Sequence, residues 1–420
     1  MSPQSPNIIL IHWHDLGTHL GVYGHPGVQS PRLDHLAETS ARFTNAFCTA
    51  PQCSPSRGSL FTGRYPHANG LMGLAHTGWA YHPGEQTLPM MLRPAGYEST
   101  LIGLQHENDD PHRLGFDHVD SPSPSMPAGE VAARAARWLA GRRDRPFLLT
   151  VGFLETHRPY PAEHYPAVDP ASIEVPAYLP DRPTTRDDLA AFYGSIKVAD
   201  RAVGAILDAV DQGPNASDTW IIFTTDHGPA FPRAKGTLYD PGLRVALLIR
   251  PPKGRRRAAV IDRAVSLIDV VPTLLDLVGQ PIPPAVQGHS FLPAISGEPM
   301  GPPAPIFAEK TSHRDYDPMR CIRDDGFKYI RNYEPGPLLL LPRDIEDSLT
   351  REGMGDEHLH PRAADELYDL NEDPLESTNL AEAAEYSPVR DRLAARLDRW
   401  QHETGDPILS GPIPAPTQQS

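Results

Sequence analysis

Four short runs of nearly uninterrupted apolar residues constrain the fold of this chain more than any other feature. They are Asn7–Trp13, Phe147–Leu154, Trp220–Thr225 and Val245–Ile249. A strand with one wet face alternates apolar and polar residues. A strand that is apolar throughout belongs in a sheet covered on both faces. Helical patterns lie between the runs. Ser30-Pro31 opens one, serine in the capping position and proline in the first turn, with Leu33, Leu36 and Ala37 on one face. A longer one runs from Asp187 to Val210. Along it Leu189, Phe192, Tyr193, Ile196, Val203, Ile206 and Leu207 keep the helical period until Gly213-Pro214. Strands alternating with helices predict an α/β fold around a largely parallel sheet. After about residue 303 the pattern changes. Arg320–Arg331 reads as a hairpin turning at Asp325-Gly326, and an amphipathic helix covers about Pro388–Trp400. The expected organisation is a large α/β domain over 1–303 and a smaller α+β subdomain over 304–420, with an antiparallel sheet and a terminal helix.

The 420 residues carry 38 Lys+Arg against 53 Asp+Glu, a net charge of −15. That balance excludes a general nucleic-acid binder, which needs a basic footprint. An anionic ligand must therefore be met by local cations and not by the overall field. No stretch approaches the roughly 20 apolar residues that span a bilayer, so no membrane partner is expected. Cys48, Cys53 and Cys321 are an odd, sparse set, which fits a reducing compartment better than a disulfide framework. The opening MSPQSPNIILIHWHD lacks a basic n-region and a small-residue cleavage site. A cytoplasmic location is expected, and the sequon Asn215-Ala216-Ser217 is then incidental.

Three of the buried runs end in polar clusters: His12-Trp13-His14-Asp15, Glu155-Thr156-His157 and Asp226-His227. Ligands of open α/β sheets bind beyond the carboxyl ends of the strands, so these clusters should converge. A fourth element is Cys53-Ser54-Pro55-Ser56-Arg57, followed by Gly58–Arg64. A cysteine just ahead of a proline-started helix sits where free amides and the helix dipole favour an anion. Arg57, one turn on, can stabilise charge formed at residue 53.

Cys53-x-Pro55-x-Arg57 with Leu60-x-Thr62-Gly63-Arg64 resembles the signature of the type I sulfatases, whose cysteine is oxidised to formylglycine. The likeness continues in the strand ending at Asp15, in Thr225-Asp226-His227-Gly228, in Lys235-Gly236-Thr237-x-Tyr239-x-x-Gly242-x-Arg244 and in Glu366–Pro374. It covers nearly the whole chain. Within the family the chain is most similar to the N-sulfoglucosamine sulfohydrolase (heparan N-sulfatase) branch. The strings that carry this are Asn69–Leu74, Phe153-x-x-x-His157-Arg158, Tyr239–Gly242, Pro318-Met319-Arg320 and Trp400–Pro407.

The resemblance implies an alkaline-phosphatase-like α/β/α sandwich and a sulfuric ester or sulfamate hydrolase. The aldehyde made from Cys53 by a formylglycine-generating enzyme would hydrate to a gem-diol. One hydroxyl attacks sulfur, and the other later loses its proton and expels sulfate. Asp15, Asp226 and His227, with residue 53, would hold one divalent metal, calcium by resemblance. Lys235 and Arg57 would clamp sulfate oxygens, and His157 or His106 would protonate the leaving oxygen or nitrogen. The expected substrate is a small sulfated sugar, glucosamine N-sulfate first.

Two departures stand out. His14 replaces the first aspartate of the family's Asp-Asp pair. It either coordinates the ion, moving the preference towards manganese, iron or zinc, or stands back and hydrogen-bonds Asp15. Leu104-Gln105-His106 replaces a Lys-x-His string, so one cation is missing. Trp13 reads as packing, Arg255-Arg256-Arg257 as a solvated loop, and His313 as a residue that can reach the site by resemblance alone. Two alternative functions remain open from the sequence. One is a phosphonate monoester or phosphodiester hydrolase on the same scaffold. The other is a sugar-binding protein whose Cys53 stays unconverted.

Overall fold

The computed structural model describes residues 5–25, 27–141 and 143–416, so residues 1–4 of the stretch read for a leader lie outside the described residues. The main sheet is built from β1 (Asn7–Trp13), β2 (Ala41–Phe47), β3 (Glu98–Gly103), β4 (His118–Asp120), β5 (Phe147–Gly152), β6 (Thr219–Thr225), β7 (Arg244–Arg250), β8 (Ala259–Ile261) and β9 (Val265–Ser266). Their order is β4-β3-β5-β1-β6-β7-β2-β8, with β9 also on β2. Among these strands β7 alone runs against the rest.

Side chains alternate across a strand, and here both faces are dry. Ile8 and Leu10 of β1 enter one core with Leu148, Ile222 and Leu247. Ile9, Ile11 and Trp13 enter the other with Leu149, Val151, Ile221 and Phe223. Ile8 through Ile11 have no exposed surface, and each contributes about 1.5–3 kcal/mol of burial. This is why the runs are apolar without alternation. The helices α1 (Pro31–Ala37), α3 (Ala128–Leu139) and α4 (Pro183–Gln212) cover the second core. The helices α2 (Cys53–Thr62) and α5 (Val270–Leu277) cover the first. Among the described residues no helix is long and apolar enough to cross a membrane.

A separate antiparallel sheet comprises β10 (Ile306–Ser312), β11 (Tyr316–Asp324), β12 (Phe327–Asn332) and β13 (Asp365–Asp369). Asp325 and Gly326 join β11 to β12 with φ of 52° and 78°, the left-handed pair that a two-residue hairpin needs. The terminal helix α6 (Ser387–Thr404) buries Leu393, Leu397 and Trp400 against Ile322, Tyr329 and Leu367 of this sheet.

Three boundaries differ from expectation. Helix α4 begins at Pro183, four residues before Asp187, because proline is already set for the first helical position. Cys53 is the first residue of α2, not ahead of it; Pro55 sits in the first turn, where its missing N–H costs nothing. Strand β5 stops at Gly152, not Leu154. Gly152 pairs with Gly103, and a Cβ on Gly152 would lie 1.9 Å from the Leu104 carbonyl oxygen and 2.6 Å from the His12 ring. The two glycines let three backbone segments meet where the chain turns into the polar clusters. Gly152→Ala should therefore lower the thermal unfolding midpoint by about 2–3 °C, the scale of an overpacked core site in a chain of this length. A midpoint within about 0.5 °C of the parent, roughly the effect of a surface substitution, would contradict the close approach.

Candidate active site

Because β1, β5 and β6 are parallel neighbours, their carboxyl ends share one edge. Backbone bonds join the loops that leave them. His14 N–H donates to the Glu155 carbonyl at 3.3 Å, Thr156 N–H to that of His14 at 3.2 Å, and Gly17 N–H to that of His227 at 2.9 Å. Asp15 N–H donates to Asp226 Oδ1 at 2.9 Å. Asp15 has φ 45°, a left-handed conformation that aspartate tolerates better than most residues and that aims its carboxylate inward at some cost. The antiparallel direction of β7 keeps the connection 226–243 at the same edge, which brings Lys235 there.

Every residue of α2 is buried. Ser56 Oγ donates to the Asp226 carbonyl at 2.5 Å, and Gln52 Nε2, at the helix start, donates to the Ser312 carbonyl at 2.7 Å. Cys53 is thus fixed with the unpaired amides of a first helical turn around it. Arg57 is held against Asp226: its Nε donates to Oδ2 at 3.1 Å, its Nη2 to the Trp13 carbonyl at 3.0 Å, and its Nη1 meets His12 Nδ1.

Lys235 Nζ donates to Asp15 Oδ2 at 2.7 Å and to Asp344 Oδ2 at 2.8 Å, with His157 Nε2 at 3.4 Å. Burial opposes its charge, but the two carboxylates outweigh that and hold the ammonium well above the ordinary lysine range. Burial likewise works against Asp15, yet Lys235, then His14, His157 and His227, keep its carboxyl well below the carboxylate range. Asp226 is depressed in the same way, burial being overcome by His227, His14 and Arg57. His14 Nδ1 stands 2.7 Å from Asp15 Oδ1 and 3.3 Å from Asp226 Oδ2. Burial still lowers its pKa to about 4, so the imidazole is neutral and able to act as a ligand. Burial also pushes the Cys53 thiol well above its usual range, a push to which Asp15 and Asp226 add and which Lys235 and Arg57 oppose. An unmodified Cys53 is a protonated, weak nucleophile at neutral pH.

One ligand atom from each of His14, Asp15, Cys53, Asp226 and His227 lies within 4.8 Å of all the others. Ligands on opposite sides of a divalent ion with bonds of about 2.4 Å are roughly that far apart. His227 Nε2 is buried without a hydrogen-bond partner, although Asp15 Oδ1 is only 3.1 Å away. A cation between them satisfies both, so the donor set fits a divalent metal.

The structure gathers all nine sequence-singled residues: His14, Asp15, Cys53, Arg57, His106, His157, Asp226, His227 and Lys235. The His157 ring meets His14 edge-on at 4.7 Å between centroids. His106 lies 5.7 Å from His14 and stacks on His76, with burial first and then His14 and Arg57 lowering its pKa to about 2. His313 approaches as well: burial, followed by Lys235 and Lys310, pushes it down to about 3. Trp13 packs edge-on against Phe153 and Phe223 with no exposed surface, so it does not line the site. The triplet Arg255–Arg257 is a surface loop in which Arg256 reaches Asp211. Asp344, on the short helix Arg343–Glu346, escaped the sequence reading. It meets Lys235 from 109 positions away, and nothing in its local spacing marks it.

The chain matches the family described as Sulfatase over residues 6–280 and the family described as N-sulphoglucosamine sulphohydrolase, C-terminal, over residues 233–337. It is 30% identical to human N-sulphoglucosamine sulphohydrolase, across 97% of this chain and 92% of that relative. In fold it is similar to the phosphonate monoester hydrolase of Agrobacterium radiobacter, with a TM-score of 0.73 at 23% identity over 96% of this chain and 97% of that one. A solved protein in complex with its substrate D-glucosamine-2-N,6-O-disulfate aligns with a TM-score of 0.75 at 19% identity, over 97% and 99% of the two chains. At such identities the solved structures speak to the fold alone. The family match over most of the chain and the near full-length likeness to the human relative lead to one conclusion: this chain belongs to the sulfatase family.

Proposed function

We propose that this protein hydrolyses the sulfate ester or sulfamate of a small sulfated sugar, glucosamine N-sulfate first, after Cys53 is converted to formylglycine by a separate maturing enzyme. The observation that carries the proposal is the placement of Cys53 at the first turn of a buried helix, among Asp15, Asp226, His14 and His227. The human relative's name, N-sulphoglucosamine sulphohydrolase, supports the choice of sugar. Three free, buried cysteines support a reducing, cytoplasmic location.

The charge balance of the site favours a monoanionic substrate. Asp15, Asp226 and Asp344 face Arg57 and Lys235, leaving one net negative charge. A divalent cation held by Asp15, Asp226, His227 and His14 reverses that to one positive charge, which matches a sulfate monoester or sulfamate. The ion would act as a Lewis acid that lowers the pKa of the attacking hydroxyl. The converted residue would supply a nucleophile whose second hydroxyl, on giving its proton to one of the neutral imidazoles, expels sulfate and restores the aldehyde. Lys235 and Arg57 are the cations assigned to the sulfuryl oxygens. Of the two candidate proton donors, His157 stands against the Lys235 ammonium, and it is assigned to protonate the leaving nitrogen or oxygen. Two imidazoles among the ligands soften an otherwise calcium-like oxygen set and move its preference towards manganese or zinc.

Intact-mass analysis should find residue 53 lighter than cysteine by about 18 Da, and sulfate should be released from glucosamine N-sulfate in preference to phosphonate from an aryl phosphonate ester. Cys53→Ala should abolish that release with the fold retained; turnover by this variant, or faster phosphonate hydrolysis, would overturn the assignment. After metal removal and restoration of single ions, His14→Asp should shift the best metal from manganese or zinc to calcium. The same metal ranking in both proteins would place His14 outside the coordination shell. Asp344→Asn should cost about tenfold or more in kcat/KM at an unchanged unfolding midpoint, with Asp344→Glu partly restoring it, as for a group that orients a catalytic one. A loss under threefold would remove Asp344 from the machinery.

A further inference from the structure

A second cavity, of about 350 Å³, is lined by His19, His25, Tyr178, Asp240, Arg244 and Arg323, none of which takes part in the chemistry above. Its cations lack full partners. Lys328, buried behind Asp240, binds Asp240 Oδ1 at 2.5 Å and Glu376 Oε1 at 2.7 Å, and so occupies the nearby carboxylates. Arg323 meets Asp240 only at 3.7 Å, beyond hydrogen-bond reach, and lies 4.7 Å over the Phe47 ring. Arg244 uses one nitrogen on the Thr44 carbonyl at 2.6 Å. The Nε atoms of both arginines and the Tyr178 hydroxyl have no hydrogen-bond partner among the described residues. Donors without acceptors, and two guanidinium groups facing one carboxylate, Asp240, that Lys328 already shares, describe a site for an oxyanion.

The imidazoles sharpen the class. His19 and His25 stack at 4.3 Å with an interplanar angle of 22°. Burial keeps both neutral, His25 at a pKa of about 4 with Arg244 adding to the effect, and His19 well below its usual value with His25 adding to it. His19 Nδ1 faces the Leu16 carbonyl at 3.1 Å and therefore carries the proton, which leaves Nε2 as an acceptor without a donor. Sulfate has no proton to give at neutral pH, whereas hydrogen phosphate keeps one and a phosphate monoester, with its second pKa at about 6, keeps one in part.

We infer that this cavity is a second anion site, distinct from the catalytic centre, which takes a phosphate group between Arg244 and Arg323, either inorganic phosphate or the ester group of a small phosphorylated molecule. Its wall includes Thr18 and Pro229, close in sequence to Asp15 and His227, so occupancy is poised to steady the loops that carry the metal ligands. The inference does not depend on the substrate proposed above.

The test is calorimetric titration of the full chain with inorganic phosphate, glucose 6-phosphate and inorganic sulfate at constant ionic strength, alongside turnover. Phosphate should bind more tightly than sulfate, and a tighter glucose 6-phosphate would identify the ester as the preferred source. Arg323→Gln should weaken phosphate binding by about tenfold or more, the scale of one charge-assisted contact, while kcat/KM stays within about twofold. Tyr178→Phe, which removes only an unpartnered hydroxyl, should weaken it less, and it serves if the arginine variant does not fold. Crystals soaked in arsenate should show the anomalous peak between the two guanidinium groups. No measurable phosphate binding, unchanged binding in both variants, or an arsenate peak at the catalytic centre alone would overturn the inference.

Discussion

The fully buried Asp15 carboxylate stays ionised chiefly because Lys235 stands 2.7 Å away, and much of the molecule is arranged around that pair. A carboxylate in a dry interior is costly unless a cation and hydrogen bonds accompany it, and removing one partner leaves the other charge stranded. The cation arrives on the connection after β6, and that connection stays at the site's edge because β7 reverses direction. Lys235 in turn draws Asp344 from the connection between β12 and β13 of the second sheet. Asp226 makes the same demand and is met by Arg57 of α2, which fixes the helix that begins at Cys53. The site is therefore also a junction in the fold.

The same logic recurs at the seam between the two sheets. Arg320 of β11 is buried between Asp406 at 2.6 Å and Glu309 at 3.1 Å, and Glu309 also receives the His67 backbone N–H at 2.7 Å. Lys328 of β12 reaches Asp240 and Glu376. These pairs explain the sequence strings Pro318-Met319-Arg320, Tyr239–Gly242 and Trp400–Pro407, which resemble the sulfohydrolase branch without touching the chemistry. Phe307 stacks on Trp400 at 4.8 Å, and Tyr65 meets Trp400 edge-on at 4.9 Å, closing the apolar side of the same seam. The strings are cement between layers.

Burial and charge together set the chemistry the site can offer. His14, His106 and His157 are all held neutral, mainly by desolvation, even beside carboxylates. A cluster of neutral imidazoles can supply nitrogen ligands at neutral pH, and the one that acts as the acid must take up a proton first. The raised thiol of Cys53 points the same way, since the ordinary cysteine would wait as a thiol.

What the sequence determined by itself was whatever a short segment can state. The unbroken apolar runs of β1, β5 and β6 announce a doubly covered sheet because both faces of each strand must be dry. The residues just after those runs announce the site because parallel strands finish at one edge. Asp325-Gly326 announces its hairpin because only such residues take two left-handed conformations in succession. Tertiary structure decided the rest. Strand β5 stops at Gly152 because another segment's carbonyl lies against it, and Arg57 turns to Asp226 because that carboxylate is buried beside it. Asp344 joins Lys235 because the second sheet folds over the first. These contacts depend on charges and close approaches between segments far apart in the chain, and no local period or spacing encodes them.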